Sequence, residues 1–249
     1  MKGWKKAAAL CLFVFAVFAL KSASGTEKAE PNLYGEDPYG RGIIGVNFPF
    51  SAISGQGSLD GLGYNSLEEI KETPDDIFSL SISYTKLNNS EILSRFENLE
   101  TLVLSDSEIN DFSFLKKLKK LKCLYISSCV SDDFNSIRYL PNKKELAVLT
   151  IHSCKNKDSS LITDISFLEG FTGLIFLNLG GNDVRNLDPI AGMSKLETIY
   201  LYDNFHIESL KPLHNLENIK DGIIPPTYQY TKDDLEYLGD PMSSNIYYD

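Results

Sequence analysis

LIFLNLGGNDVRNLDPIAGM, running from Leu174 to Met193, is the stretch that decides the architecture of this chain. Leu177 and Leu179 alternate with Phe176, Asn178 and Gly180, which is the period-two signature of a strand with one buried face. Beyond Asn182 the apolar residues Val184, Leu187, Ile190 and Met193 recur at about every third position. That run is too short for a long helix, so the spacing predicts a 3₁₀ or irregular return. A single strand and return cannot bury its own apolar side; it needs neighbours of the same kind.

The neighbours are present on both sides. The same register begins at Ile77, Leu99, Leu121, Leu146, Leu174, Leu196 and Ile219, with spacings of 22, 22, 25, 28, 22 and 23 residues. Six copies are complete and a seventh is partial. Each reads L-x-x-L-x-L-x-x-(N/C/S/T)-x-(L/I/V) followed by three further apolar positions. The two long spacings hold polar insertions, around Pro141 to Lys144 and from Lys155 to Ser160, which read as loops. Stacked copies form an α/β solenoid, a horseshoe with a parallel sheet on its concave face and 3₁₀ or irregular structure on the convex side, capped at both ends.

Two return segments carry a resemblance. Ile109-Asn110-Asp111-Phe112-Ser113-Phe114-Leu115 and Ile162-Thr163-Asp164-Ile165-Ser166-Phe167-Leu168 are similar to the I-x-D-I-S-P-L return of the internalins. Val184 to Ile190 and Ile207 to Leu213 repeat it with the proline present, as Pro189 and Pro212. Over Ile77 to Ile224 the chain thus resembles leucine-rich repeat proteins of the 22-residue bacterial, internalin-like class. The resemblance implies recognition of a protein partner through the concave face.

Outside the repeats the organisation changes. Lys2, Lys5 and Lys6 precede an apolar run from Ala7 to Leu20, and small residues Ser22, Ala23 and Ser24 follow. Residues 1–24 therefore read as a signal peptide, which implies an exported protein: secreted, on the cell surface or periplasmic. No later run is long enough to span a membrane, and no sorting or lipid-attachment signal is visible at the C-terminus. Residues 25–76, rich in Gly, Pro and aromatics and ending in the capping box Ser66-Leu67-Glu68-Glu69, are expected to form an N-terminal cap, with repeats at 77–224 and a C-terminal cap and tail at 225–249. The net charge is −10, and loss of the four lysines in residues 1–24 makes it −14, which argues against a nucleic-acid partner.

Repeat positions 3, 5 and 7 alternate with the buried leucines and project from the concave sheet, a face that a solenoid leaves open. They are small and polar in the first copies, whereas Tyr125, His152, Phe176, Tyr200 and Tyr202 bring aromatic rings to the later ones, with Asp203 beside them. These six residues are the candidate partner-binding set, an aromatic hot spot with an acidic margin suited to a basic target. The loop Lys155 to Ser160 is expected to rise beside His152.

Other groupings carry less. Lys116, Lys117, Lys119, Lys120 and Lys122 occupy outward positions and read as a solvated flank able to make a weak anionic-surface contact. Cys129 and Cys154 both stand at position 9, within disulfide reach across adjacent copies or free in a ladder of turn-bonding side chains. Ser127 and His152 with Asp106 suggest a hydrolytic constellation, yet no nucleophile elbow or oxyanion donor accompanies them. His152, His206 and His214 lack metal-ligand spacing, so no metal and no cofactor is expected. The sequence reads as a non-enzymatic binding module engaged in adhesion or host interaction, or alternatively as a stoichiometric inhibitor or immunity-type protein.

Overall fold

The computed structural model describes residues 77–225 with their side chains, save that of Asp221, together with Leu67 and the backbone of 44–47 and 246–248. The expected signal peptide, residues 1–24, and most of both expected caps lie outside the described residues. In chain order the strands are β1 (Ile44–Asn47), β2 (Ser79–Ser83), β3 (Lys86–Leu87), β4 (Thr101–Ser105), β5 (Glu108–Asp111), β6 (Cys123–Ser127) and β7 (Val130–Asp133). They continue with β8 (Val148–His152), β9 (Lys155–Asn156), β10 (Phe176–Asn178), β11 (Thr198–Tyr200), β12 (Asp221–Ile224) and β13 (Ile246–Tyr248). One parallel sheet runs β1-β2-β4-β6-β8-β10-β11-β12-β13. Its register pairs Leu80 with Leu102, Leu124 and Leu149 in turn, then Leu177 and Ile199, as the repeat alignment requires.

The return of each repeat passes through a short 3₁₀ segment, from Ser90–Arg95 to Lys211–Leu213. Three of them, Phe134–Tyr139 among them, span five or six residues and three span only three. The copies share one core. Leu80, Leu102, Leu124, Leu149, Leu177 and Ile199 are wholly buried, and Phe96, Phe112, Phe114 and Phe171 fill the convex side with no exposed area. Leu67, from the expected cap, also joins this core at 2% exposure.

A second sheet was not expected. β3, β5, β7 and β9 pair in parallel along the flank immediately after the turn. It stops at Asn156, inside the six-residue insertion Lys155 to Ser160, and in the next repeat Asp183 N–H bonds instead to the carbonyl of Ile162, just past the insertion.

Three columns of bonds tie one repeat to the next. At position 2 a single carbonyl accepts two amides of the following copy, as Phe78 does from Glu100 and Thr101, and Ala147 from Ile175 and Phe176. At position 8 the amide donates to the position-7 carbonyl of the next copy: Asp106 to Ser127, Ser128 to His152, Gly181 to Tyr202. The backbone there is left-handed in each of the six complete repeats, with φ of 54° at Tyr84, 48° at Asp106, 53° at Ser128, 50° at Ser153, 69° at Gly181 and 58° at Asp203. Five of the six are not glycine and hold a conformation unfavourable for L-residues. The column of bonds offsets that strain.

Position 9 supplies the third column. Asn182 Nδ2 donates to the carbonyls of Ile151 at 2.7 Å and Leu179 at 2.8 Å, while its Oδ1 accepts from Cys154 N–H at 3.1 Å. Asn204 Nδ2 likewise reaches Leu179 at 3.0 Å and Leu201 at 2.9 Å, and its Oδ1 accepts from Val184 N–H at 2.9 Å. In the earlier copies the Ser107 hydroxyl donates to Ser105 carbonyl at 2.7 Å, and the thiols of Cys129 and Cys154 donate to Ser127 and His152 carbonyls, both at 3.3 Å. Both cysteines and Cys123 are buried and free. Burial pushes the Cys123 and Cys129 thiols up to about 12, and that of Cys154 well above the ordinary range.

Two outcomes follow from the ladder. Asn182→Ala takes the side-chain partner from the Ile151 carbonyl and the Cys154 amide in a dry turn, while Leu179 keeps Asn204, so equilibrium unfolding in denaturant should show a loss of about 2–4 kcal/mol. Neutral buried thiols are poor nucleophiles. A disulfide reagent at neutral pH should leave Cys123, Cys129 and Cys154 unlabelled in the folded protein and label all three after unfolding without reductant.

Candidate functional site

Positions 3, 5 and 7 do project to the concave side, but that side is open only in part. From Ser79 to Thr150 its residues are buried: Ser81 at 8%, Val103 at 5%, Cys123 at 1%, Tyr125 at 7% and Thr150 at 0% exposure. In-register strands about 4.8 Å apart bring side chains of one column into contact. Ser83 Oγ bonds Ser105 Oγ at 2.6 Å, Tyr125 packs on Val103, and Cys123 clusters with Val148 and Phe176. Tyr125 is thus a member of this packed floor and no free anchor; burial raises its phenol pKa.

The remaining five expected residues come together at the C-terminal end, four of them half-buried and Asp203 exposed. Phe176 and Tyr200 meet edge to face with centroids 5.4 Å apart at 89°, while the rings of His152 and Tyr202 lie 5.7 Å apart at 49°. Leu201 between the tyrosines is wholly buried, so Tyr200 and Tyr202 do point to one side. Gly180 makes the second pair possible. A Cβ there would stand 2.4 Å from the Tyr202 ring, so only glycine lets that ring lie across its neighbour's strand toward His152.

His152 is held from both nitrogens, Nδ1 facing Ser127 Oγ at 3.1 Å and Nε2 facing Ser153 Oγ at 2.9 Å. Ser127 and His152 therefore do meet, as the sequence suggested. The group on the far nitrogen, however, is a second serine where a hydrolytic triad places a carboxylate. Burial lowers the His152 pKa, against a smaller opposite pull from the Asp203 carboxylate, so the ring is neutral at physiological pH. Burial raises the Tyr202 pKa, the Asp203 charge adding to it and a hydrogen bond with Asn178 opposing it.

Two features escaped the sequence reading. The sixth repeat carries one extra residue after Asn204, which pushes Phe205 out to 49% exposure next to Asp203. Beyond it His206 pairs with Asp183, whose other oxygen takes Arg185 at 3.2 Å. The loop Lys155 to Ser160 also lies elsewhere than expected. It is tied to the second sheet by Lys157 and Asp132 at 2.9 Å and closed on itself by Asp158, Ser160 and Asn156. Of the lysine run, Lys116 pairs with Glu91 at 3.6 Å and Lys122 with Glu100 at 3.1 Å. Among the described residues no group of His, Cys, Asp and Glu could hold a metal, and no helix is long and apolar enough to cross a membrane.

Comparison with known proteins agrees with this geometry. Residues 172–215 match the leucine-rich repeat family as two copies. An internalin (inlF) of Listeria monocytogenes is similar at 24% identity over 61% of this chain and 48% of that one, with a TM-score of 0.46. Internalin C2 of the same organism is similar at 25% identity over 71% and 81%, with a TM-score of 0.49. A leucine-rich repeat protein of Leptospira interrogans is similar at 20% identity over 60% and 37%, with a TM-score of 0.51. The chain thus spans about half the length of the first of these. No curated protein matches it. The in-register columns and the repeat-family match define a leucine-rich repeat solenoid. Its return segments resemble those of the internalin-like type.

The electrostatics of His152 give a pH dependence. A base whose folded pKa lies below its ordinary value binds protons more readily when unfolded, so stability held above that ordinary value is lost as pH falls through it. The thermal midpoint should drop between about pH 7.5 and pH 5.5, around the ordinary histidine value. In His152→Gln the drop should be smaller; an equal drop would show that other groups carry it.

Proposed function

We propose that this chain is an exported, non-enzymatic module that binds a protein partner on the C-terminal half of its concave face. The observation that carries the reading is the pair of aromatic contacts, Phe176 with Tyr200 and His152 with Tyr202, packed against the sheet yet half exposed. Rigid rings already ordered by their neighbours lose little entropy on binding and offer large apolar area. Asp203 and the exposed Phe205 border them, which suits an apolar anchor flanked by basic residues. Tyr125, packed into the floor, is left out of the docking set. Export rests on the N-terminal segment Lys2 to Ser24.

The same face would serve an inhibitor or immunity-type protein acting on an enzyme in its own compartment. Affinity capture from the exported fraction separates the two readings: a surface receptor supports adhesion, and an endogenous enzyme that loses activity supports inhibition. Tyr200→Ala with Tyr202→Ala should abolish capture, each ring contributing about 2 kcal/mol or more to binding. The fold should survive, because Leu201 and not the tyrosines belongs to the core. Capture that persists in the double variant would place the binding surface elsewhere.

A further inference from the structure

Three consecutive 3₁₀ segments end in basic residues on one edge of the solenoid, away from the concave rings. Ser90–Arg95 closes on Arg95, Ser113–Lys117 on Lys116 and Lys117, and Phe134–Tyr139 on Arg138. These segments stack on one another in sequence, so their ends lie side by side. Lys119 and Lys120 extend the edge, Lys120 Nζ reaching Asn98 Oδ1 one repeat back, and Lys143 and Lys144 extend it one repeat on. The next two segments, Ser166–Leu168 and Asp188–Ile190, have no base in their last turn. In a chain of net charge −10, positive charge is gathered on three adjacent repeats.

Part of that charge is engaged. Lys116 faces Glu91 and Lys122 faces Glu100, while Lys143 lies over the Phe171 ring at 5.2 Å and donates to the Glu169 carbonyl. Glu97 and Glu145 stand exposed on the same edge and offset some of the rest. Lys117, Lys119, Lys120 and Lys144 are exposed cations, as is Arg138. Tyr139 stands among them at 56% exposure, more than any other large apolar residue described.

We propose that this edge docks on an anionic lipid surface. Flexible lysines in a band tolerate mobile headgroups, and a tyrosine ring with a polar tip suits the boundary between headgroups and acyl chains. A soluble polyanion would engage the cations and give Tyr139 no role, so that residue selects between the two. The edge is separate from the concave rings, and its use is independent of the partner proposed above.

Cosedimentation of the full chain with vesicles tests this, using phosphatidylcholine alone or mixed with phosphatidylserine. The neutral vesicles set the baseline that the apolar run Ala7 to Leu20 contributes. Binding to the mixed vesicles should exceed that baseline by about tenfold or more at low salt and fall steadily as salt rises. Lys119→Glu with Lys120→Glu should return it to the baseline, and Tyr139→Ser should weaken it severalfold while leaving the salt dependence. The salt series on the unmodified chain keeps the test valid should a variant fold poorly. No excess over neutral vesicles would overturn the proposal, as would an excess that survives both variants. Binding of a soluble sulfated polysaccharide that needs the lysines, ignores Tyr139→Ser and has no vesicle counterpart would assign the edge to polyanions instead.

Discussion

Everything in this molecule depends on the turn that ends each concave strand. There the chain must leave the sheet, change direction and still satisfy its own polar backbone in a dry interior, where an unpaired group costs about 1–3 kcal/mol. The left-handed residue at position 8 makes the reversal, and the side chain at position 9 takes up the carbonyls that the reversal strands. Because Asn182 bonds Ile151 of the preceding copy as well as Leu179 of its own, the satisfaction of one turn requires the presence of the next. Local geometry and long-range order are one set of bonds.

The same constraint explains why the ladder changes character along the chain. Asparagine can donate and accept together, and it occupies the two C-terminal turns, where Cys154 N–H and Val184 N–H both find an Oδ1. Serine at Ser107 donates to Ser105 and accepts from Thr85 N–H at 3.2 Å. A thiol is a weak donor and weaker acceptor. The second sheet flanks the serine and cysteine turns alike, and in it the Val130 and Lys155 amides donate to the carbonyls of Ser107 and Cys129, both at 2.9 Å. That sheet ends at Asn156, inside the insertion Lys155 to Ser160, and asparagine takes over in the next copies.

How much of this was legible in the sequence depends on the range of the interaction. The strand register was readable residue by residue, since burying Leu177 forces Phe176 and Asn178 outward and the 22-residue step forces the columns. The meeting of Phe176 with Tyr200, and of Ser127 with His152, followed from the same counting. What counting missed depends on side-chain volume and on small changes in spacing. Tyr125 was placed in the right column but is packed against Val103, because alternation gives direction and says nothing of what fills the column. Alternation put Gly180 at an outward position without showing that its missing Cβ is what admits the Tyr202 ring. The insertion Lys155 to Ser160 follows a turn residue, and from there the chain runs along the flank, so Lys157 meets Asp132 and not His152.

Stacking also sets which part of the solenoid can carry recognition. Columns of serine close on one another, as Ser83 and Ser105 do, and leave a floor with few unmatched groups. A large ring does not close in this way, because its quadrupole disfavours a face-to-face sandwich with the next ring of its column and favours offset or edge-to-face contact. It must tilt across a small neighbour or meet the next ring by its edge, and both solutions occur here, Tyr202 over Gly180 and Tyr200 against Phe176. Either tilt leaves part of a rigid apolar face uncovered. The repeat that forces uniform backbone columns thus turns any local rise in side-chain size into exposed, ordered surface, and in this chain that rise falls in the repeats from His152 to Tyr202.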